Sequence, residues 1–396
     1  MDQIQNKVKK LDEYQWPQGF FSDGIHAGLR DGLDLGWIYS ETPAAAAGVY
    51  TTSQFQAAPT KLTKNTINLN HQLQAVVMNS VCANSCTGPQ GETDALVMQQ
   101  AVADKMTIDS NLVGVASTGV IGQFMPMGLI TAGIKKLELG DSDKVAHAVM
   151  TTDSHAKTIS VAADIDGETV IVSGFCKGSG MIHPNMATML GFVTTDAKIA
   201  SYELQALLSE HVNDTFNQIT VDGDTSTNDM VTVMANGASG VDVAASDEFE
   251  AAFHQVLSYL AQEIAADGEG ATKLVEANVK HAETKEDAQK IAKQIVGSNL
   301  VKSAIFGDDA NWGRIMGAIG QTDAKLDVDH VSLWINGIQL VKDSISVNFD
   351  EAVVKETLAS SKVVIDVDVN VGEASGQAWG CDLTYDYVKI NASYRS

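Results

Sequence analysis

The stretch KGSGMIHPNMATMLGFVTTDA, Lys177 to Ala197, decides how the rest of the chain is read. An alternating apolar run precedes it and a second, LGFVTT, follows inside it, so a glycine-rich loop joins two strands. Gly178 and Gly180 permit close backbone approach, and Pro184 stiffens the chain ahead of a small-residue junction, Ala187-Thr188. A threonine hydroxyl is a weak nucleophile that gains a base when its own α-amino group is free. A break before Thr188 would create that pair. Taken alone, the threonine is first of all a β-former at the head of a strand, and the glycines are first of all a loop. A phosphate-binding loop is excluded by spacing, because Lys177 precedes the glycines that it would have to follow.

Upstream of this loop, Thr158 to Cys176 reads as a hairpin that turns at Asp166-Gly167, and VSLWINGIQLV turns in the same way at Asn336-Gly337. Ala75 to Met78 and Leu112 to Ala116 read as buried strands, while Thr93 to Ala103 has helical spacing. Leu204, Leu207, Leu208, Val212 and Phe216 form one helical face, and Phe249, Phe253, Val256, Leu260 and Ile264 form another. A further helix is expected over Thr284 to Val296. Beyond it Val363, Ile365, Val367, Val369 and Val371 alternate with Val364 and acids, as a strand does. The pattern predicts a mixed α/β fold of layered sheets covered by helices. A smaller C-terminal α+β domain is expected after Lys273, at about 275–396.

Fifty acidic residues against 26 basic ones give a net charge of -24, which repels a phosphate backbone and excludes nucleic acid as a partner. The N-terminal MDQIQNKVKKLDEYQWPQG lacks the apolar centre of a signal peptide, and no later run is long enough to span a bilayer. A cytoplasmic protein without membrane contact is expected. Cys82, Cys86, Cys176 and Cys381 are too scattered for a disulfide framework, and Cys82 and Cys86 lack a second pair at zinc spacing, so both are expected to be buried structural thiols. Arg30, Arg314 and Arg395 are the only arginines, which leaves few candidates for bidentate carboxylate recognition. TVDGDTSTND, Thr220 to Asp229, has Asp222, Asp224 and Ser226 at calcium-loop intervals but Thr227 where that loop needs glycine. A hydrogen-bonded turn is expected there, with no metal and no cofactor.

Taken together, PAAAAGVYTT from Pro43, STGVIG from Ser117, TTDSHAK from Thr151, the Lys177 segment, TVDGDTSTND, DGEGATK from Asp267, GDDANWGRIMGAIG from Gly307 and the terminal NASYRS resemble the ArgJ family. These are the glutamate N-acetyltransferases, or ornithine acetyltransferases, of the cyclic arginine pathway. The resemblance implies a fold of the N-terminal-nucleophile type and self-cleavage between Ala187 and Thr188, giving an α chain 1–187 and a β chain 188–396. It implies that Thr188 carries acetyl from N-acetylornithine to glutamate, and that Thr118 and Gly119 form the oxyanion hole. It assigns substrate binding to Thr151, Lys177, Thr188, Glu269, Asn391 and Ser396. Two α and two β chains are implied, and acetyl-CoA is a further donor in bifunctional members. NSVCANSC, from Asn79, departs from the family by placing Val81 and Cys82 where glycine and asparagine are expected. Two other functions fit single features: an N-terminal-nucleophile aminopeptidase or amidase that passes its acyl group to water, and a non-enzymatic acidic binding protein.

Overall fold

The computed structural model describes residues 4, 6–183 and 189–393. These fall into two compact units. Residues 6–178, 189–216 and 225–260 form the first, and residues 179–183, 217–224 and 261–393 form the second.

Among the described residues, the first unit is built on a nine-stranded sheet. Its strands are β1 (Val8–Lys10), β2 (Phe20–Ile25), β3 (Leu35–Tyr50), β4 (Gln72–Asn79), β5 (Val113–Ser117), β6 (Lys157–Ile165), β7 (Glu168–Lys177), β8 (Leu190–Thr195) and β9 (Met230–Ala235). They run in the order β1-β6-β7-β8-β9-β3-β4-β5, with β2 paired to β3. The β6-β7 hairpin turns at Asp166 and Gly167, whose φ of 54° and 90° are the positive angles that a two-residue turn matching the strand twist requires. On β4, Val76 and Met78 enter one apolar cluster while Ala75 and Val77 enter another, so this strand is buried on both faces. Helix Ser201–Asp214 buries Leu204, Leu208 and Val212. Phe249, Phe253, Val256 and Leu260 of helix Asp247–Ala266 are also buried, and a Cβ on Gly174 would lie 2.9 Å from Val256 and Leu260. Glycine at 174 therefore lets helix and sheet close together.

The second unit has a six-stranded sheet of β10 (Leu274–Ala282), β11 (Ser332–Ile335), β12 (Ile338–Lys342), β13 (Ile345–Ser346), β14 (Lys362–Asp368) and β15 (Ala374–Cys381), ordered β13-β12-β11-β14-β10-β15. Val363, Ile365 and Val367 turn one face of β14 into the core, against Ile291, Ile295 and Val296 of helix Lys285–Gly297. Thr284 caps that helix by accepting from the Asp287 N–H. The Asn336-Gly337 turn has φ of 47° and 78°. The strand ends at Asp368, so Val369 and Val371 continue the alternation beyond the ladder. Among the described residues no helix is long and apolar enough to cross a membrane.

The four cysteines are free thiols. Cys82 is buried as expected, whereas Cys86 is exposed. The expectation for Cys86 fails because it sits in a tight connection after β4 with a φ of 57°, outside the apolar layer.

Val81 lies in the same connection with a φ of 84°, a left-handed conformation that a β-branched side chain resists. It is the position where the family pattern leads one to expect glycine. Its carbonyl accepts from the Val120 N–H at 2.7 Å, which holds the strained backbone in place. Strain of about 1–3 kcal/mol opposes the roughly 1 kcal/mol from partial burial of the side chain and the about 0.5–1 kcal/mol of backbone entropy that glycine would add to the cost. Val81→Gly is thus expected to leave stability within about 1 kcal/mol of the parent. The same change at fully buried Val115, in regular strand geometry, should cost about 3 kcal/mol or more. Urea unfolding of the two variants distinguishes the cases.

Candidate active site

The sheet register gathers the first set of candidate residues. Lys177, the last residue of β7, pairs with Leu190, the first of β8, and Leu190 pairs with Met230 at the head of β9. Asn79 and Ser117 form the last pair of β4 and β5. The Ser117 hydroxyl donates to the Asn79 side-chain oxygen at 2.6 Å, and the Thr118 N–H donates to the Asn79 carbonyl at 3.1 Å. Asn228 adds a strut, its amide donating to the carbonyls of Ala83 and Ser117 at 2.6 and 2.8 Å. The end of β5 is fixed from three sides.

At that strand end Gly119 has a φ of 126°, and a Cβ there would lie 2.1 Å from the Val81 carbonyl. No side chain fits. Thr118 is 7% exposed, and its Oγ1 accepts from the Lys177 ammonium at 3.0 Å, while Thr151 Oγ1 lies 3.4 Å from the same nitrogen. Among the described residues, neither the Thr118 hydroxyl proton nor the Gly119 N–H has an acceptor. Two adjacent donors are therefore held ready for a negative oxygen, the arrangement that stabilises tetrahedral intermediates of acyl transfer.

A buried ion pair supports this cluster. Asp153 and Lys157 are both fully buried at their side chains and lie 2.7 Å apart. Asp153 Oδ1 also accepts from the Gly178 N–H at 2.7 Å, and Oδ2 from the Thr151 N–H at 3.0 Å. Burial by itself would push this carboxyl up, but the charges of Lys157 and Lys177 and the hydrogen bonds reverse that and bring it down to about 2. Asp229, fully buried, goes the other way: burial raises it, and its hydrogen bond to Ser226 and the charge of Lys177 offset that only in part.

The second unit carries the other set. The Glu269 N–H donates to the Ser179 carbonyl at 2.8 Å, and its Oε2 accepts from the Asn391 amide at 2.7 Å. Asn391 lies on helix Tyr385–Ser393 and also donates to the Tyr387 carbonyl at 3.0 Å. A Cβ on Gly180 would lie 2.3 Å from the Glu269 carboxyl carbon, so the carboxylate rests on a bare backbone. Asp382 fastens the loop that carries Glu269, accepting from the N–H groups of Thr272 and Lys273 at 2.8 and 3.0 Å and from the Thr272 hydroxyl at 2.5 Å. Asp222 accepts from the N–H groups of Met181 and Ile182 at 2.6 and 2.8 Å and from the Tyr387 hydroxyl at 3.3 Å. The turn expected in TVDGDTSTND thus grips the segment ahead of the junction. His183, also gripped through Thr220 Oγ1 at 2.9 Å, is lowered to about 4 by burial, then by Lys293, and is neutral near pH 7.

Ala187, Thr188 and Ser396 lie outside the described residues, as does Arg395. Thr118, Gly119, Thr151 and Lys177 come together in the first unit, and Glu269 and Asn391 in the second. Asp153, Lys157 and Asp382 were missed, whereas Gly180 was expected to allow close backbone approach and Asp222 to lie in a hydrogen-bonded turn. For Asp153 and Lys157 the available signal was an acid and a base four apart in TTDSHAK, a spacing read by default as a solvated pair. Arg314 donates to the Leu300 carbonyl at 2.9 Å and Arg30 to that of Leu33, so neither described arginine meets a carboxylate there.

The layered α/β fold is of the N-terminal-nucleophile type, and two adjacent donors without an acceptor among the described residues suit an acyl-transfer enzyme. A sequence model of the ArgJ family matches residues 22–396. The chain is 59% identical to the arginine biosynthesis bifunctional protein ArgJ of Lactiplantibacillus plantarum, over the whole of both chains. It is 52% identical to that of Geobacillus kaustophilus, over 96% of this chain and 95% of the other. The crystal structure of the arginine biosynthesis bifunctional protein argJ from Bacillus halodurans superposes with a TM-score of 0.50 at 48% identity, covering 51% of this chain and 98% of that one. The chain belongs to the ArgJ family, the glutamate N-acetyltransferases of arginine biosynthesis.

Removing the cation from the buried pair strands a carboxylate, so Lys157→Met should destabilise by about 3–5 kcal/mol in urea unfolding. Because the Asp153 carboxyl is depressed in the folded state, its contribution is full above the ordinary carboxylate range and is lost as pH falls from about 4 toward 2, where the parent should lose stability. At Gly180 a methyl group displaces only the end of the Glu269 side chain. Gly180→Ala should leave the melting temperature nearly unchanged while reducing turnover by about a hundredfold, as displacement of a positioned group does.

Proposed function

We propose that this chain cleaves itself between Ala187 and Thr188 and then uses Thr188 to carry an acetyl group from N-acetylornithine to glutamate. The observation that carries the acyl-transfer step is the pair of adjacent donors, the Thr118 hydroxyl and the Gly119 N–H, with no acceptor among the described residues. Support for cleavage comes from the solved Bacillus halodurans chain, which is matched almost end to end yet accounts for about half of this chain, as a break at Thr188 would leave it.

In the reaction the Thr188 hydroxyl attacks the acetyl carbonyl and its proton passes to the α-amino group of the same residue. The tetrahedral oxygen takes its hydrogen bonds from Thr118 and Gly119. The carbon–nitrogen bond then breaks, the proton moves to the departing amine, and ornithine leaves an acetyl ester on Thr188. The neutral amino group of glutamate attacks that ester, gives up a proton to the Thr188 α-amino group, the carbon–oxygen bond breaks as that proton moves to the Thr188 oxygen, and N-acetylglutamate is released. Thr151, Lys177, Glu269, Asn391 and Ser396 hold the two amino acids in turn, with partners of both charge signs. The relatives' description as bifunctional supports acetyl-CoA as a second acetyl donor to glutamate. An α2β2 assembly in the cytoplasm completes this reading.

Intact mass under denaturing conditions should give two fragments that meet between Ala187 and Thr188, and Thr188→Ala should stay whole. Cleaved enzyme mixed with N-acetylornithine alone should carry an acetyl group on the peptide that begins at Thr188. Intersecting initial-rate lines with no trapped acetyl-peptide would overturn the double displacement, and release of free acetate at an equal rate without glutamate would make the protein an amidase.

A further inference from the structure

A lysine ammonium carries three donors and no acceptor, so a contact between it and a hydroxyl has only one polarity. Lys177 Nζ lies 3.0 Å from Thr118 Oγ1, and the lysine is therefore the donor and the threonine oxygen the acceptor. The Thr118 proton is driven out of that direction. Thr118 is buried, its own N–H is spent on Asn79, and among the described residues nothing accepts its hydroxyl proton. Lys177 is held where it can do this. Gly178, next in the chain, donates its N–H to Asp153, and Thr151, whose hydroxyl receives the same ammonium at 3.4 Å, donates its N–H to the same carboxylate. The ammonium also withdraws charge from the oxygen it touches, which makes the remaining O–H a stronger donor.

We infer that Lys177 is a positioning residue for the oxyanion hole: it fixes the Thr118 hydroxyl as a donor toward the reacting carbonyl, in addition to any contact with a substrate carboxylate. This rests on the proposed acyl transfer at Thr188. The two roles separate with an acyl donor that has no carboxylate. A lysine that only bound the α-carboxylate of an amino acid would be dispensable for acetyl transfer from 4-nitrophenyl acetate, whereas a lysine acting through Thr118 would still be needed.

The experiment is a double-mutant cycle of Lys177→Met and Thr118→Val, with turnover and Michaelis constants measured for N-acetylornithine with glutamate and for 4-nitrophenyl acetate, and rates normalised to the cleaved fraction by intact mass. Thr118→Val should lower turnover by about a hundredfold, with both donors and with little change in Michaelis constant. Lys177→Met should lower turnover at least about tenfold with 4-nitrophenyl acetate, Lys177→Arg should recover part of it, and the double variant should be no slower than Thr118→Val alone. Additive losses, or full activity of Lys177→Met toward 4-nitrophenyl acetate with only the N-acetylornithine Michaelis constant raised, would overturn the inference. If Lys177→Met stays uncleaved, the cycle is read on the cleavage rate, where Thr118→Val must then fail equally. Uncleaved Lys177→Met beside normally cleaved Thr118→Val overturns it too. Parent enzyme that acetylates from 4-nitrophenyl acetate but transfers nothing from N-acetylornithine to glutamate would defeat the proposed substrates and leave the cycle readable.

Discussion

A carboxylate sealed from water has to be matched inside the protein, and Asp153 is matched by Lys157 in contact, by the charge of Lys177 and by two backbone N–H groups. Leaving any of these unmade would cost roughly 1–3 kcal/mol per stranded group. The cost makes the arrangement all-or-none. The strand end at Lys177-Gly178, the turn at Thr151 and the start of β6 at Lys157 must arrive together or the charge is stranded. Lys177 and Thr151 are thereby delivered to Thr118 as a consequence of burying a charge, and their placement is obtained from a carboxylate that takes no part in the Lys177–Thr118 contact.

Close backbone approach is the complementary constraint. At Gly119 a Cβ would collide with a carbonyl, and at Gly180 with a carboxylate that itself carries the candidate chemistry. The two glycines do different work. Gly119 keeps an N–H exposed on a backbone that has no freedom to turn it away, since its neighbours Thr118 and Val120 are both tied by their own N–H groups. Gly180 provides a flat surface on which Glu269 is held by Asn391 from the other side. Val81 tolerates a left-handed φ because its carbonyl is the surface against which Gly119 packs, so strain at one residue maintains geometry at another.

Much of the fold was legible because its signals are local. Positive-φ dipeptides mark both hairpins, and the apolar period of 3.6 marks the helices that bury Leu204 and Phe253. The 16-residue β3 was not legible as a strand, because PAAAAGVYTT is rich in a helix former and lacks apolar alternation. Its Ala44, Ala46 and Ala47 are buried, and the strand pairs with β4 through its first part and with β9 from Ala45 onward. Candidate site residues were legible in a different way. Thr118 and Gly119 look like any strand ending in a turn, and only the resemblance singled them out. Asp153, Asp222 and Asp382 act through burial and through contacts with backbone far along the chain, and neither property leaves a mark in local composition.

The proposed peptide break and the proposed acyl transfer would draw on one set of supports. The described segments on either side of residues 184–188 are each anchored by hydrogen bonds of their own: Met181 and Ile182 to Asp222, and the Met189 carbonyl to the Met230 N–H at 2.9 Å. None of these bonds depends on the chain being continuous between the two flanks. The proposed break would remove a covalent tether and leave these hydrogen bonds in place. The supports of Thr118 and Lys177 sit on regular strand ends and on one matched buried carboxylate, and these hold through ladder bonds and charge pairing whatever becomes of the chain between the flanks.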